Sequence, residues 1–142
     1  MSSSEQIFLK SDIPSSTRNK DRNAPGSILI VEDEPAQIII LKKILTSTDY
    51  RVLEAETGAE CKELIHSQRP DLVLLDIVLD DANGLDLCRQ IKADADISDT
   101  HIMFLSGVKI SPEDQAQGLW AGADGYMVKP VHKEEFLARV ES

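Results

Sequence analysis

The stretch ILIVEDEP, residues 28–35, decides the fold class of this 142-residue chain. Its first four residues are an uninterrupted aliphatic run, which is typical of a β-strand buried on both faces of a sheet. The acids and the proline that follow suit the start of a helix, because negative charge and proline are both favoured in the first helical turn. A buried strand that leads directly into a helix predicts an α/β protein with a parallel sheet.

The alternation of short apolar runs and helical patterns continues along the chain. Thr57 and Glu60 have the spacing of a capping box at the start of the second helix. Five strands and five helices in alternation predict a parallel sheet covered on both faces and joined by right-handed crossovers. Strands are predicted at residues 28–31, 51–55, 72–75, 101–105 and 125–128, and helices at about 35–47, 57–67, 84–93, from Ser111 onward and at 133–140.

Composition predicts one globular domain with a polar leader. A hydrophobic content of 42% and a charged content of 28% are ordinary for a soluble domain. A chain of 142 residues can form one sizeable core but not two ordinary domains. Residues 1–26 are polar and lack apolar periodicity, so a disordered leader is expected there, followed by a single domain over residues 27–142.

Charge and composition disfavour several classes of function. The net charge of −10 disfavours nucleic-acid binding, which depends on neutralising phosphates. The sequence has no run of 18 apolar residues and no secretory signal, so neither a membrane span nor membrane binding is expected. Cys61 and Cys88 lack the spacing of metal ligands and are expected to be reduced, half-buried thiols of a cytoplasmic protein.

The candidate chemistry of the chain is concentrated just after the predicted strands. Glu32 and Asp33 come after the first strand and Asp76 after the third, whereas Ser106 and Lys129 come after the fourth and fifth. Open parallel sheets bind ligands beyond the carboxyl ends of their strands. If the first and third strands are neighbours, three carboxylates, a hydroxyl and an ammonium meet in one cleft.

Such a cleft suits a divalent cation and phosphoryl transfer. Three adjacent carboxylates repel one another unless a cation neutralises them, and Mg²⁺ commonly binds carboxylates together with water and phosphate oxygens. Asp76 leaves a buried strand, so it is rigidly placed to act as a nucleophile towards phosphorus. A metal ion, Lys129 and Ser106 would neutralise the charge of the transferred group. Taken singly, residues of these kinds are more often turn residues, loop residues or helix caps than functional groups.

Residues 28–35, 71–76 (DLVLLD) and 122–130 (GADGYMVKP) together resemble the response regulator receiver family of two-component signalling. The resemblance covers roughly residues 27–142, with the motifs in the family's order and spacing. It implies a flavodoxin-like fold, a doubly wound five-stranded parallel sheet of strand order 2-1-3-4-5 with helices on both faces.

The resemblance also implies the role of each acid. Asp76 would be the phosphoacceptor. Asp33, Asp76 and the backbone carbonyl of Val78 would bind Mg²⁺ or Mn²⁺, and Glu32 would act on the metal through water.

Further roles are implied for residues around the phosphoryl group. Ser106 would bond the phosphoryl oxygens, and Lys129 would lie beside them after a cis bond to Pro130. Tyr126 would turn inward as Ser106 moves, which would make the two residues a switch. The alternative for Tyr126 is an ordinary strand residue with its hydroxyl at the surface. Gly107 would leave room for the phosphoryl group.

The function implied is a phosphorelay signalling domain. It would accept a phosphoryl group from a histidine kinase or a histidine phosphotransfer protein, and it would not be an enzyme towards other substrates. The surface of the predicted fourth helix, fifth strand and fifth helix would switch and would offer a homodimer interface. The broad apolar stripe at residues 38–41 of the first helix either packs against the sheet or docks the phosphodonor.

Other functions remain open, and one of them depends on Asp80, which, followed by Asp81, stands where the family usually has a proline. The added negative charge favours one alternative, a receiver-like interaction module that is not phosphorylated. A second is an Asp-nucleophile phosphatase, which would need an acid at the position of Val78. A third, a flavin- or nucleotide-binding module, is disfavoured because the first strand–helix turn is acidic instead of glycine-rich.

Overall fold

The structure is a computed structural model that describes residues 26–107, 112–113, 116 and 121–141. The predicted leader and the helix predicted from Ser111 fall mostly outside these ranges. The named elements are β1 Ser27–Val31, α1 Pro35–Leu45, β2 Arg51–Ala55, α2 Gly58–Gln68, β3 Leu72–Asp76, α3 Gly84–Ala93, β4 His101–Ser106, β5 Gly125–Val128 and α4 Lys133–Glu141.

The five strands form one parallel sheet in the order β2-β1-β3-β4-β5. This is the flavodoxin-like order, so the predicted fold is confirmed. Val31 of β1 is in register with Leu75 of β3. The next residues, Glu32 and Asp76, therefore leave the sheet side by side, at the point where the direction of winding changes.

Two apolar clusters cover the two faces of the sheet. Leu29 and Val31 of β1 belong to the cluster that also contains residues of α2 and α3. Ile28 and Ile30 belong to the cluster that contains residues of α1 and α4. Burial of one such side chain contributes roughly 1.5 to 3 kcal/mol, which explains why the aliphatic runs become the central strands.

The helix starts follow the sequence signals with one difference. The Thr57 hydroxyl accepts the N–H of Glu60 at 3.1 Å, as a capping box requires. The carboxylate of Glu60 accepts the N–H of Glu56 at 3.0 Å, instead of the N–H of Thr57. The second helix begins at Gly58, one residue later than predicted, because Thr57 is its N-cap residue and has an extended backbone.

Both cysteines are buried, more deeply than the sequence predicted. Burial raises the pKa of Cys61 to about 12 and that of Cys88 to about 11. At neutral pH the two thiols are therefore protonated core residues. Among the described helices, none combines the length and the apolar character that crossing a bilayer requires.

Candidate functional site

Three carboxylates meet at the carboxyl ends of β1 and β3. One oxygen from each of Glu32, Asp33 and Asp76 lies within 4.8 Å of the other two. Glu32 and Asp76 are buried, and Asp33 is partly exposed. The sheet order thus brings together the acids that the sequence places after two separate strands.

Lys129 brings an ammonium into this cleft from the end of β5. Its Nζ lies 2.5 Å from Oε1 of Glu32 and 3.3 Å from Oδ2 of Asp76. Its backbone N–H donates to the carbonyl of Ser106 at 2.6 Å, which continues the pairing of β4 with β5. The Lys129–Pro130 bond is cis, as the resemblance implied.

Burial and charge act against each other on these groups. Burial raises the pKa of Glu32 and the charge of Asp76 adds to this effect, whereas the bond to Lys129 opposes it. Burial alone would lower the pKa of Lys129, but its bond to Glu32 and the charge of Asp76 outweigh burial and raise it. Lys129 therefore stays charged at neutral pH.

The donor set fits a hard divalent cation. Three carboxylates face the ammonium of Lys129, so the cleft retains negative charge even when that ion pair forms. Oxygen donors of this kind, with one exposed side open to water, are the ligands that Mg²⁺ takes in proteins.

The loop after β3, residues 77–83, orients two of the acids through its backbone. The N–H of Val78 donates to Oδ1 of Asp76 at 3.0 Å, and the N–H of Asp80 donates to Oδ2 of Asp33 at 2.8 Å. Because Oδ1 of Asp76 is held in this way, its Oδ2 faces Lys129. The Val78 side chain is 72% exposed. Its carbonyl as a metal ligand stays a prediction.

Gly84 lets this loop lie close to Asp76. Its N–H donates to the carbonyl of Ile77 at 2.6 Å. A Cβ at Gly84 would lie 2.6 Å from the carbonyl oxygen of Asp76 and 2.7 Å from Cα of Ile77, which is closer than side chains approach. Glycine is therefore required at the start of α3. Sequence reasoning located this helix start but missed the contact.

Asp80, which departs from the family pattern, and Asp81 beside it have partners that sequence reasoning also missed. Both carboxylate oxygens of Asp81 accept the N–H of Gly58, at 3.0 and 3.1 Å. The backbone N–H of Asp80 donates to the carboxylate of Asp33, and the negative charge of Asp33 raises the pKa of the Asp80 carboxyl. The unusual DD pair was the signal in the sequence, but its contacts depend on loops that are distant along the chain.

The remaining predicted residues lie along β4 and β5. Ser106 is buried at the end of β4, in register with Val128. Tyr126 lies on the edge strand β5 with 36% of its surface exposed. A Cβ at Gly107 would meet no atom within 4 Å among the described residues, so there is space beside Ser106.

The chain matches known proteins over most of its length. The sequence model of the response regulator receiver domain family matches residues 28–141. The response regulator MprA of Mycolicibacterium vanbaalenii is 39% identical over 118 residues, which cover 83% of this chain and 50% of that protein. The chain thus spans half the length of this curated relative.

Solved structures show the same similarity. The non-phosphorylated HemR receiver domain of Leptospira biflexa is 35% identical with a TM-score of 0.72, and the match covers 82% of this chain and 91% of that one. The receiver domain of a sensor histidine kinase from Pseudomonas aeruginosa is 29% identical with a TM-score of 0.72, over 80% and 93% of the two chains. That structure has a magnesium ion coordinated in its active-site cleft. This chain belongs to the response regulator receiver domain family of two-component signal transduction.

Proposed function

We propose that Asp76 accepts a phosphoryl group from the phosphohistidine of a histidine kinase or a histidine phosphotransfer protein. The placement of Asp76 carries this proposal. Its carboxylate is buried, with Oδ1 held by the N–H of Val78 and Oδ2 3.3 Å from the ammonium of Lys129. A carboxylate that is fixed and flanked by positive charge is suited to attack phosphorus.

The reaction is a displacement at phosphorus. An oxygen of Asp76 forms a bond to phosphorus while the phosphorus–nitrogen bond of phosphohistidine breaks. The bonding electrons stay with the imidazole, which leaves as the neutral ring when its second nitrogen carries a proton. Lys129 compensates for negative charge on the phosphoryl oxygens, and the Ser106 hydroxyl donates a hydrogen bond to one of them.

Mg²⁺, or Mn²⁺ in its place, is the proposed cofactor, and when bound it would supply positive charge to the phosphoryl oxygens. Asp33, Asp76 and the Val78 carbonyl are the proposed direct ligands. Glu32, which is bonded to Lys129, would act through water. The clustering of the three acids supports this assignment, as does the magnesium ion described for the Pseudomonas aeruginosa receiver domain.

Ser106 and Tyr126 are the proposed switch between unphosphorylated and phosphorylated states. The partly exposed side chain of Tyr126 supports this role, because an inward rotation at an edge strand need not disturb the central core. The surface of β5 and α4 would then change, and it is also the proposed homodimer interface; the helix predicted from Ser111, the third part of this proposal, lies mostly outside the described residues.

The chemistry of the chain is proposed to be limited to its own phosphorylation and dephosphorylation. An Asp-nucleophile phosphatase would need an acid two residues after Asp76. That position holds Val78, whose aliphatic side chain points mostly into solvent and cannot move a proton. This observation favours a phosphoacceptor over an enzyme with a separate substrate.

Acetyl phosphate and Mg²⁺ provide a direct test. The wild-type protein should gain about 80 Da, the mass of one phosphoryl group, and a chelator should prevent the gain. Asp76→Asn should abolish the adduct. Asp80→Asn is the matched control, because it removes a neighbouring exposed carboxylate from the same loop and should leave the adduct intact. An adduct that persists in Asp76→Asn, or a wild-type protein that never gains mass, would reject the proposal.

A further inference from the structure

One side chain attaches the loop after Asp76 to helix α2. Both oxygens of Asp81 accept the N–H of Gly58, the first residue of α2, at 3.0 and 3.1 Å. The first N–H groups of a helix have no partner within the helix, and the helix dipole favours negative charge beside them. The carboxylate of Asp81 satisfies both conditions.

Gly58, at the start of α2, allows the loop to approach the helix closely. A Cβ at Gly58 would lie 3.1 Å from Cβ of Ala82 and 3.6 Å from Oδ2 of Asp81. The first distance is tighter than most real contacts, so a side chain at position 58 would require Ala82 to shift by a few tenths of an ångström. The helix start and the loop are therefore matched in shape as well as in charge.

The same loop forms a hairpin whose tip is Asp80 and Asp81. The N–H of Leu79 donates to the carbonyl of Ala82 at 3.2 Å, and Val78 and Asn83 form an antiparallel bridge just outside that bond. Because the tip has only two residues, the backbone of Asp80 cannot move independently of Asp81. The anchor at Asp81 thus fixes the backbone of Asp80.

The hairpin, residues 78–83, supplies backbone donors to two of the three acids of the cleft. The N–H of Asp80 holds Asp33, and the N–H of Val78 holds Asp76. Partners of this kind commonly set the orientation of metal-binding side chains. A chain of contacts therefore runs from α2 through the hairpin to both acids.

We propose that Asp81 is a positioning residue for the phosphorylation site. Its bond to Gly58 anchors the hairpin, and the anchored hairpin keeps Asp33 and Asp76 in the orientation that the cleft requires. This inference rests on the proposed function, because it concerns the acids that bind the metal and accept the phosphoryl group. Without the anchor, both carboxylates lose a fixed donor and sample unproductive rotamers.

Spectra of the metal-free protein test the anchor directly. In ¹H–¹⁵N spectra, Asp81→Ala should shift the amide of Gly58 and also shift or broaden the amides of Val78 and Asp80. Asp81→Asn keeps an acceptor oxygen and should restore most of the wild-type positions.

Asp71→Ala is the matched control. Asp71 accepts the N–H of Ser27 at 2.8 Å, which is a bond of the same type at the amino end of the sheet. Its loss should leave the amides of the hairpin unchanged.

Metal affinity and phosphorylation complete the test. Asp81→Ala should weaken Mg²⁺ binding and slow phosphorylation by acetyl phosphate, each on the order of tenfold. Asp81→Asn should stay close to the wild type in both measurements, as should Asp71→Ala.

Three results would overturn the inference. The first is that the amide signals of Val78 and Asp80 are unchanged in Asp81→Ala. The second is a loss of phosphorylation rate that Asp81→Asn does not rescue, and the third is an equal loss of that rate in Asp71→Ala. If the wild-type protein binds Mg²⁺ but is never phosphorylated, the proposed function fails. The amide shifts and the Mg²⁺ affinities still decide the role of Asp81 in that case.

Discussion

At the scale of single residues, the two oxygens of Asp76 have partners from different parts of the fold. The Val78 N–H lies on the same loop as Asp76, whereas Lys129 arrives from β5. The two contacts restrain the carboxylate from different sides, one on each oxygen. Space around Asp76 is equally restricted, because Gly84 touches its backbone.

Gly84→Ala is expected to destabilise the protein. The new methyl group would overlap the carbonyl of Asp76 and Cα of Ile77. Overpacking of this kind costs about 1 to 3 kcal/mol. Urea unfolding should show this loss, and phosphorylation by acetyl phosphate should fall because the loop carrying Val78 is displaced.

Gly107→Ala is the matched control for stability. A Cβ at Gly107 would meet nothing within 4 Å among the described residues, so the free energy of unfolding should stay near the wild-type value. Equal stability of the two glycine variants would contradict the steric argument for Gly84.

At the scale of elements, α1 has two apolar sides, of which the described residues cover only one. Ile38, Leu41 and Leu45 are buried against the sheet. Ile39 and Ile40 remain 64% and 47% exposed. Packing against the sheet therefore accounts for only part of the apolar stripe. We propose that the exposed part docks the phosphodonor, since α1 begins three residues after Glu32.

Ile39→Glu is expected to slow transfer from a phosphohistidine donor by about tenfold, the effect of losing one well-buried interface contact. Phosphorylation by acetyl phosphate should not change, because the cleft is left intact. The measurement compares initial rates with the two donors. Gln90→Glu adds the same charge on α3, across the sheet, and should leave both rates unaltered. Equal losses with both donors would remove α1 as a docking surface.

At the scale of the whole molecule, Asp124 joins three elements at the end of the sheet opposite to the acidic cleft. Asp124 accepts the N–H of Ile102 at 2.9 Å and lies 3.7 Å from Lys92 and 3.6 Å from His101. Burial alone would raise the pKa of Asp124, but the nearby His101 ring, the N–H of Ile102 and the charge of Lys92 outweigh burial and lower it. Asp124 thus links α3, β4 and the start of β5 most strongly when it is ionised.

Stability should consequently depend on pH through Asp124. A carboxyl group whose pKa is lower in the folded protein stabilises the fold above its ordinary pKa of 3.8, and the effect is lost as the pH falls through the folded value. Asp124→Asn should lower the free energy of unfolding by about 1 kcal/mol at pH 7, with the difference shrinking as the pH falls below 3.8.

Urea unfolding at several pH values measures this effect. Asp86→Asn is the control, because its carboxylate is exposed beside Arg89 and such pairs contribute little. A difference between Asp124→Asn and the wild type that stays constant with pH would contradict the ionic link.

The fold class and most element bounds could be predicted from the sequence. The runs 28–31 and 72–75 are aliphatic throughout, and a strand buried on both faces is the arrangement that satisfies them. Helix ends were less accurate. Helix α1 ends at Leu45 instead of near Ser47, because end residues are decided by local hydrogen bonds that periodicity does not report.

By itself, the sequence determined the sheet, the side of the sheet where chemistry belongs and the identity of the acids there. Only the tertiary structure decided that Lys129 pairs with Glu32, that Asp81 bonds Gly58 and that Gly84 touches Asp76. The reason is physical. Patterns along a chain record burial and local conformation, whereas a hydrogen bond between distant loops exists only after the order of the strands has brought those loops together.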